Sequence, residues 1–113
     1  VYRRALTARG VGVAVPDPAE RAVIDRIIFE ELVKGRFADE ARSFYVGVIA
    51  TLKAQGCDGV ALVCTEIPLL VTPETSPLPT LDSTRLLARA ALDVATGARA
   101  APTWRGGPVA APT

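Results

Sequence analysis

The pattern of apolar and polar positions divides the chain into short apolar runs and longer segments of helical period. Three runs predict strands: Val11–Val15, Val60–Val63 and Leu78–Leu81. Apolar residues at helical spacing predict a terminal helix over residues 2–9 and longer helices over residues 18–34, 38–55 and 83–96. The order of strand, two helices, strand, short helix, strand and helix predicts an α/β fold with a mainly parallel sheet.

The predicted helix boundaries carry recognisable capping residues. Asp17 can cap the first long helix, Pro18 suits its first position, and Glu20 completes a capping box. A glycine follows each predicted helix, at positions 10, 35, 56 and 97. We therefore expect one folded unit over residues 1–97. Residues 98–113 are rich in Ala and Pro, and we expect a disordered tail there with Trp104 as its anchor.

A polar triplet follows the strand predicted over Val60–Val63. Cys64, Thr65 and Glu66 place a thiol, a hydroxyl and a carboxylate on consecutive residues, and an apolar segment follows. The carboxyl end of a buried strand is where open α/β sheets place their ligand crevices. If a short helix begins just after Cys64, its first N–H groups point at this position. Those groups favour an anion, either a substrate carboxylate or the thiolate itself.

The same residues also have structural interpretations. Cys64 could be a buried packing thiol, and Thr65 with Glu66 could simply form the first turn of a helix. Residues 82–84 are interpreted as a capping cluster rather than as ligands. Cys57 precedes the strand, so it should lie at the opposite end from Cys64, roughly 20 Å away at about 3.3 Å per residue. That distance is too long for two bases acting on one carbon.

Composition and charge exclude several classes of function. The formal net charge is +1 and the basic residues are dispersed, so neither nucleic acid nor a membrane surface is indicated as a partner. No apolar stretch is long enough to span a bilayer. The chain has no histidine and its two cysteines do not form a CxxC pair, so no metal site is expected. Two thiols in such a chain suggest a reducing, cytoplasmic setting.

The stretch from Val63 to Leu70 resembles the second catalytic-cysteine motif of the aspartate/glutamate racemase family, usually Gly-Cys-Thr-Glu followed by an apolar segment. Three other stretches resemble the same family: Ile27–Leu32 with Gly35, Gly56–Gly59 and Leu81–Leu86. The resemblance covers about residues 10–96. It implies a three-layer α/β lobe with a mainly parallel sheet, the second of two similar lobes with the active site between them.

The resemblance also implies a chemistry, the racemisation of an amino acid without a cofactor. In this family one cysteine removes the α-proton and an opposing cysteine returns a proton to the other face. Carried over to this chain, Cys64 is one of the two bases. Thr65 and the N–H groups at 65–66 hold the substrate carboxylate, and Glu66 orients the site. Glutamate racemases commonly have His at the position of Glu66, so the implied substrate is aspartate or another small amino acid or dicarboxylate.

The sequence departs from the family pattern at three places. Val63 replaces the usual Gly, Leu87 stands where many relatives carry His, and no stretch resembles the first lobe with its own cysteine. Since the first residue is Val1, we expect a C-terminal portion of a longer protein. We expect it to be inactive alone, and to pair with an N-terminal lobe or with a second copy. The alternatives are another chemistry on the same scaffold, as in hydantoin racemases, maleate isomerases and arylmalonate decarboxylases, or a non-catalytic remnant lobe.

Overall fold

The computed structural model describes residues 2–102. Its elements, in chain order, are α1 (Tyr2–Thr7), α2 (Pro18–Glu30), a 3₁₀ turn (Leu32–Lys34), α3 (Asp39–Ala54), β1 (Val60–Leu62), α4 (Ile67–Leu70), β2 (Thr80–Asp82) and α5 (Ser83–Ala95). The two strands run parallel, with Val60 opposite Thr80 and Leu62 opposite Asp82. The predicted α/β class with a parallel sheet is therefore confirmed.

The first long helix begins where its capping residues predict. Asp17 Oδ1 accepts a hydrogen bond from the Glu20 backbone N–H at 2.8 Å, and Glu20 Oε2 accepts one from the Asp17 N–H at 3.0 Å. These two bonds satisfy N–H groups that no helical carbonyl reaches. At its far end α2 gives way to the 3₁₀ turn, which ends at Gly35 with a φ of 72°. Few residues other than glycine adopt that left-handed conformation readily.

A single hydrophobic core joins α2, α3, α4 and β1. Its buried members are Ile27, Leu32, Ala41, Tyr45, Ile49, Leu62, Ile67, Leu70, Val71 and Leu78. Leu70 is completely buried and Val71 is 1% exposed. A four-residue helix has no stability of its own, so α4 is held in place by these buried side chains. The turn that precedes it, residues 63–66, connects it to the end of β1.

The strand predicted over Val11–Val15 is wrong. The segment has no regular structure, and Val11 and Val15 are each 48% exposed. A strand persists only where a neighbour satisfies its N–H and C=O groups, and β1 and β2 pair with each other alone within residues 2–102. The third predicted strand exists but is shifted towards the C-terminus: β2 spans Thr80–Asp82, while Leu78 is buried in the loop before it.

Helix α5 is strongly amphipathic, yet none of its residues is buried. Asp82 caps it as predicted, because its Oδ1 accepts hydrogen bonds from the N–H groups of Thr84 and Arg85 at 2.9 and 3.1 Å. The apolar side chains of the helix are exposed: Leu86 is 53% exposed and Leu87 72% exposed. Within the described chain, this helix presents an apolar face to solvent.

The residues after α5 as far as 102 are exposed and have no regular secondary structure. The prediction that Trp104 anchors the tail lies outside the described residues. None of the helices within residues 2–102 combines the length and the apolar character needed to cross a membrane.

Candidate functional site

The Cys64–Glu66 triplet lies in an irregular turn between β1 and α4. β1 ends at Leu62, opposite Asp82 at the end of β2, so the triplet and the start of α5 share the carboxyl edge of the sheet. This is the edge at which the sequence places a ligand crevice. The helix expected directly after Cys64 begins only at Ile67 and has four residues. The first N–H groups of this helix therefore lie three residues beyond the thiol.

Two side chains of the triplet converge on the third. Cys64 Sγ donates to Glu66 Oε2 at 3.1 Å, and Thr65 Oγ1 donates to the same oxygen at 2.6 Å. The Thr65 bond first, and the Cys64 bond second, lower the pKa of the Glu66 carboxyl below its ordinary value. The carboxyl group of Glu66 is therefore an ionised acceptor at neutral pH.

The thiol has an apolar side and a polar side. Cys64 is half-buried and packs against the hydrophobic core, while Glu66 is half-buried and Thr65 is exposed. Tyr45 is a member of that core. Burial first, and the nearby Cys64 second, raise the pKa of its hydroxyl. The Tyr45 hydroxyl donates to the Ile24 carbonyl at 3.4 Å. The sulfur thus faces hydrocarbon on one side and a carboxylate on the other.

An open cavity of about 610 Å³ adjoins the triplet. Thr65 lines it, together with residues of α4, β2 and α5; Cys64 and Glu66 do not. The sequence analysis predicts all three as site residues, but the structure brings only Thr65 to the cavity wall. Cys64 packs against the core instead.

Two cavity residues were not anticipated from the sequence. Arg85 and Arg89 lie one helical turn apart on α5 and line the same cavity as Thr65. Arg85 Nε also pairs with Asp82 Oδ2 at 3.5 Å. The signal that could have identified them is an arginine pair at i,i+4 spacing in the first turns of a helix capped at the end of a strand.

The remaining candidates separate clearly by position. Cys57 is half-buried and lies before β1, where its N–H donates to the Leu52 carbonyl at 3.1 Å, whereas Cys64 follows the strand. Neither cysteine is in a disulfide. Ser83 directs its hydroxyl to the Leu62 carbonyl at 3.1 Å. Across residues 2–102, no three His, Cys, Asp or Glu side chains are grouped so as to hold a metal ion.

Comparison with known proteins gives a consistent result. A family model described as Asp/Glu/Hydantoin racemase matches residues 1–91. The crystal structure of a candidate Asp/Glu racemase from Yersinia pestis superposes with a TM-score of 0.79 at 42% sequence identity, covering 84% of this chain and 42% of that one. An aspartate racemase homologue from Pyrococcus horikoshii OT3 superposes with a TM-score of 0.76 at 30% identity and the same coverage. The chain spans about two fifths of the length of these solved structures.

Proposed function

The chain belongs to the Asp/Glu/hydantoin racemase family, and from that premise we propose that it supplies one proton-transfer group of a cofactor-independent amino-acid racemase. The substrate class is a small amino acid or dicarboxylate of the aspartate or glutamate type. The observation that carries the proposal is the convergence of Cys64 Sγ and Thr65 Oγ1 on one oxygen of Glu66. That group lies at the edge of the sheet where α/β folds bind ligands.

In this proposal Cys64 is the acid/base. Its Sγ–H gives a proton to one face of the planar intermediate, after a base on the opposite side has removed the α-proton; in the reverse direction the Cys64 thiolate removes that proton. Glu66 holds the thiol in orientation through the 3.1 Å bond. Thr65, whose hydroxyl donates to Glu66 at 2.6 Å, redirects that hydroxyl to the substrate carboxylate in the complex.

The cavity lining suits such a substrate. Arg85 and Arg89 line the cavity together with the carboxylates of Glu74 and Asp82, and guanidinium groups bind carboxylates with two parallel hydrogen bonds. Arg85 already contacts Asp82 at 3.5 Å, so a substrate carboxylate competes with that contact. Because two guanidinium groups line the cavity, we infer that a substrate with two carboxylates binds better than a monocarboxylic amino acid.

The second base has to come from another lobe. Cys57 lies on the far side of β1 from Cys64, so the two thiols cannot flank one carbon. The exposed apolar face of α5 adjoins the cavity through Leu86. We place the complementary lobe, or a second copy of the chain, against this face. The isolated chain is then inactive, and both thiols stay reduced in a cytoplasmic setting.

A chimaera tests the proposal. This chain replaces the matched two fifths of the Yersinia pestis protein, and deuterium incorporation at the α-carbon of D- and L-aspartate is followed in deuterated water. We expect exchange by the chimaera and none by the chain alone. A chimaera that folds but gives no exchange, beside an active Yersinia parent, contradicts the proposal. Exchange by the isolated chain contradicts the need for a second lobe.

One observation favours a second candidate function. Cys64, unlike Cys57, follows β1 at the carboxyl edge of the sheet, and one thiol suffices for decarboxylases and isomerases that need a single proton donor. A panel of an arylmalonate, maleate and a hydantoin, applied to the same chimaera, separates these reactions from racemisation. Turnover of one of them without aspartate exchange supports the second candidate.

A further inference from the structure

Two side chains from distant parts of the chain hold the backbone on either side of the triplet. Ser83 Oγ donates to the Leu62 carbonyl at 3.1 Å, across 21 residues. Arg42 Nε donates to the Leu70 carbonyl at 3.0 Å, across 28 residues. Both donors are half-buried. The segment between these two carbonyls contains Cys64, Thr65, Glu66 and the whole of α4.

Both carbonyls lie where regular structure stops. Leu62 is the last residue of β1, and Leu70 is the last residue of α4, whose final carbonyls have no partner within the helix. Residues 63–66 between the strand and the helix have no regular structure. The packing of Ile67 and Leu70 fixes α4 against the core. This packing does not by itself determine how far residues 63–66 extend over the edge of the sheet.

The geometry points to Ser83 and Arg42 as positioning residues. Together they hold the Cys64–Glu66 turn in the conformation in which Cys64 Sγ donates to Glu66 Oε2 at 3.1 Å. Ser83 acts through Leu62, two residues before the thiol. Arg42 acts through α4, whose N-cap is Glu66. Asp39, one turn earlier on α3, pairs with the Arg42 guanidinium and orients it. The catalytic meaning of this inference rests on the proposed function, but the positioning can be measured without any turnover.

The test measures how accessible the Cys64 thiol is. In a Cys57→Ala background Cys64 is the single thiol of the chain, and its alkylation by iodoacetamide is followed by mass spectrometry. Ser83→Ala and Arg42→Gln remove one donor each. Ser83→Thr and Arg42→Lys keep a donor at the same place. Amide chemical shifts of Thr65 and Glu66 provide a second, local readout.

Matched controls separate positioning from general loss of stability. Ser43→Ala and Arg21→Gln remove the same side-chain types from exposed helical positions. Asp17→Ala weakens the chain by uncapping α2, at a site remote from the triplet in the sequence. None of the three should change the alkylation rate by more than about two-fold, because none contacts the backbone near Cys64.

We expect Ser83→Ala and Arg42→Gln each to accelerate alkylation by about three- to ten-fold, the change produced by losing one net hydrogen bond from a closed conformation. The amide shifts of Thr65 and Glu66 should move with the rate, and the two conservative variants should return both to the parent values. Rates within about two-fold of the parent, or an equal acceleration in Asp17→Ala, overturn the inference. A variant that does not fold at all also overturns it, because such a donor is then a determinant of the whole fold. None of these results depends on aspartate exchange, so failure of the inference is distinguishable from failure of the proposed function.

Discussion

Substitution of Leu70 by Ala should destabilise the protein through the helix that supports the candidate site. Leu70 is completely buried in the core beside Ile67 and Val71. The substitution removes three carbon groups, each contributing about 0.8 kcal/mol of transfer free energy, and the cavity left behind adds to the loss. We therefore expect the free energy of unfolding to fall by about 3 kcal/mol, a large part of the roughly 5–15 kcal/mol of a typical domain.

The neighbouring Leu69 provides a matched control. It belongs to the same four-residue helix and has the same side chain, but it is 65% exposed. Leu69→Ala should change the free energy of unfolding by no more than about 0.5 kcal/mol. Urea denaturation followed by far-ultraviolet circular dichroism measures both variants. The slope of the transition should be unchanged, because the surface exposed on unfolding is nearly the same.

The two leucine variants also test whether α4 docks on the core through Leu70. Equal, small losses in Leu69→Ala and Leu70→Ala would mean that α4 is not docked on the core as described. The support for the position of Cys64–Glu66 would then disappear with it. A larger loss for Leu69→Ala would mean that the helix presents its opposite face to the core.

Two further predictions concern the triplet and the exposed helix face. Two hydrogen bonds lower the pKa of Glu66 below its ordinary 4.5. The stability that the ionised carboxyl contributes is therefore present at pH values above its pKa in the unfolded chain, and it is lost as the pH falls through its pKa in the folded chain. The difference in free energy of unfolding between the parent and Glu66→Gln should therefore shrink as the pH decreases below 4.5, and a difference independent of pH contradicts the hydrogen bonding. Leu87 is 72% exposed on α5, so Leu87→Glu should change the free energy of unfolding of the isolated chain by no more than about 0.5 kcal/mol. In the chimaera the same substitution should reduce aspartate exchange, because it displaces the complementary lobe. Unchanged exchange, measured beside Arg21→Gln as control, would mean that the lobe binds elsewhere.

The parts of the fold that the sequence predicts correctly are those set by local interactions. The capping box at Asp17 and Glu20 and the apolar spacing along α3 involve residues within a turn or two of each other, so their pattern is visible in the chain itself. The strand at Val60–Leu62 is recognisable because its apolar run is short and bounded by glycine and a polar triplet, although only Leu62 is buried in the structure. The family resemblance depends on that same triplet.

The parts that the sequence does not predict depend on what lies nearby in space. Val11–Val15 is apolar enough for a strand, but no neighbouring strand pairs with it within the described chain. Cys64 packs against a core built from residues distant in sequence and does not line the cavity, and no local pattern encodes that arrangement. Ser83 and Arg42 reach their carbonyls across 21 and 28 residues. Only the folded chain reveals such contacts.

The central claim is that Cys64, and not Cys57, transfers the proton. The most direct measurement compares Cys64→Ser and Cys57→Ser in the chimaera, by deuterium incorporation at the α-carbon of aspartate in deuterated water, after circular dichroism has shown both variants to be folded. We expect Cys64→Ser to lose exchange. Cys57→Ser should retain the parent rate to within about two-fold, since a distant site should act independently. Retained exchange in Cys64→Ser contradicts the account.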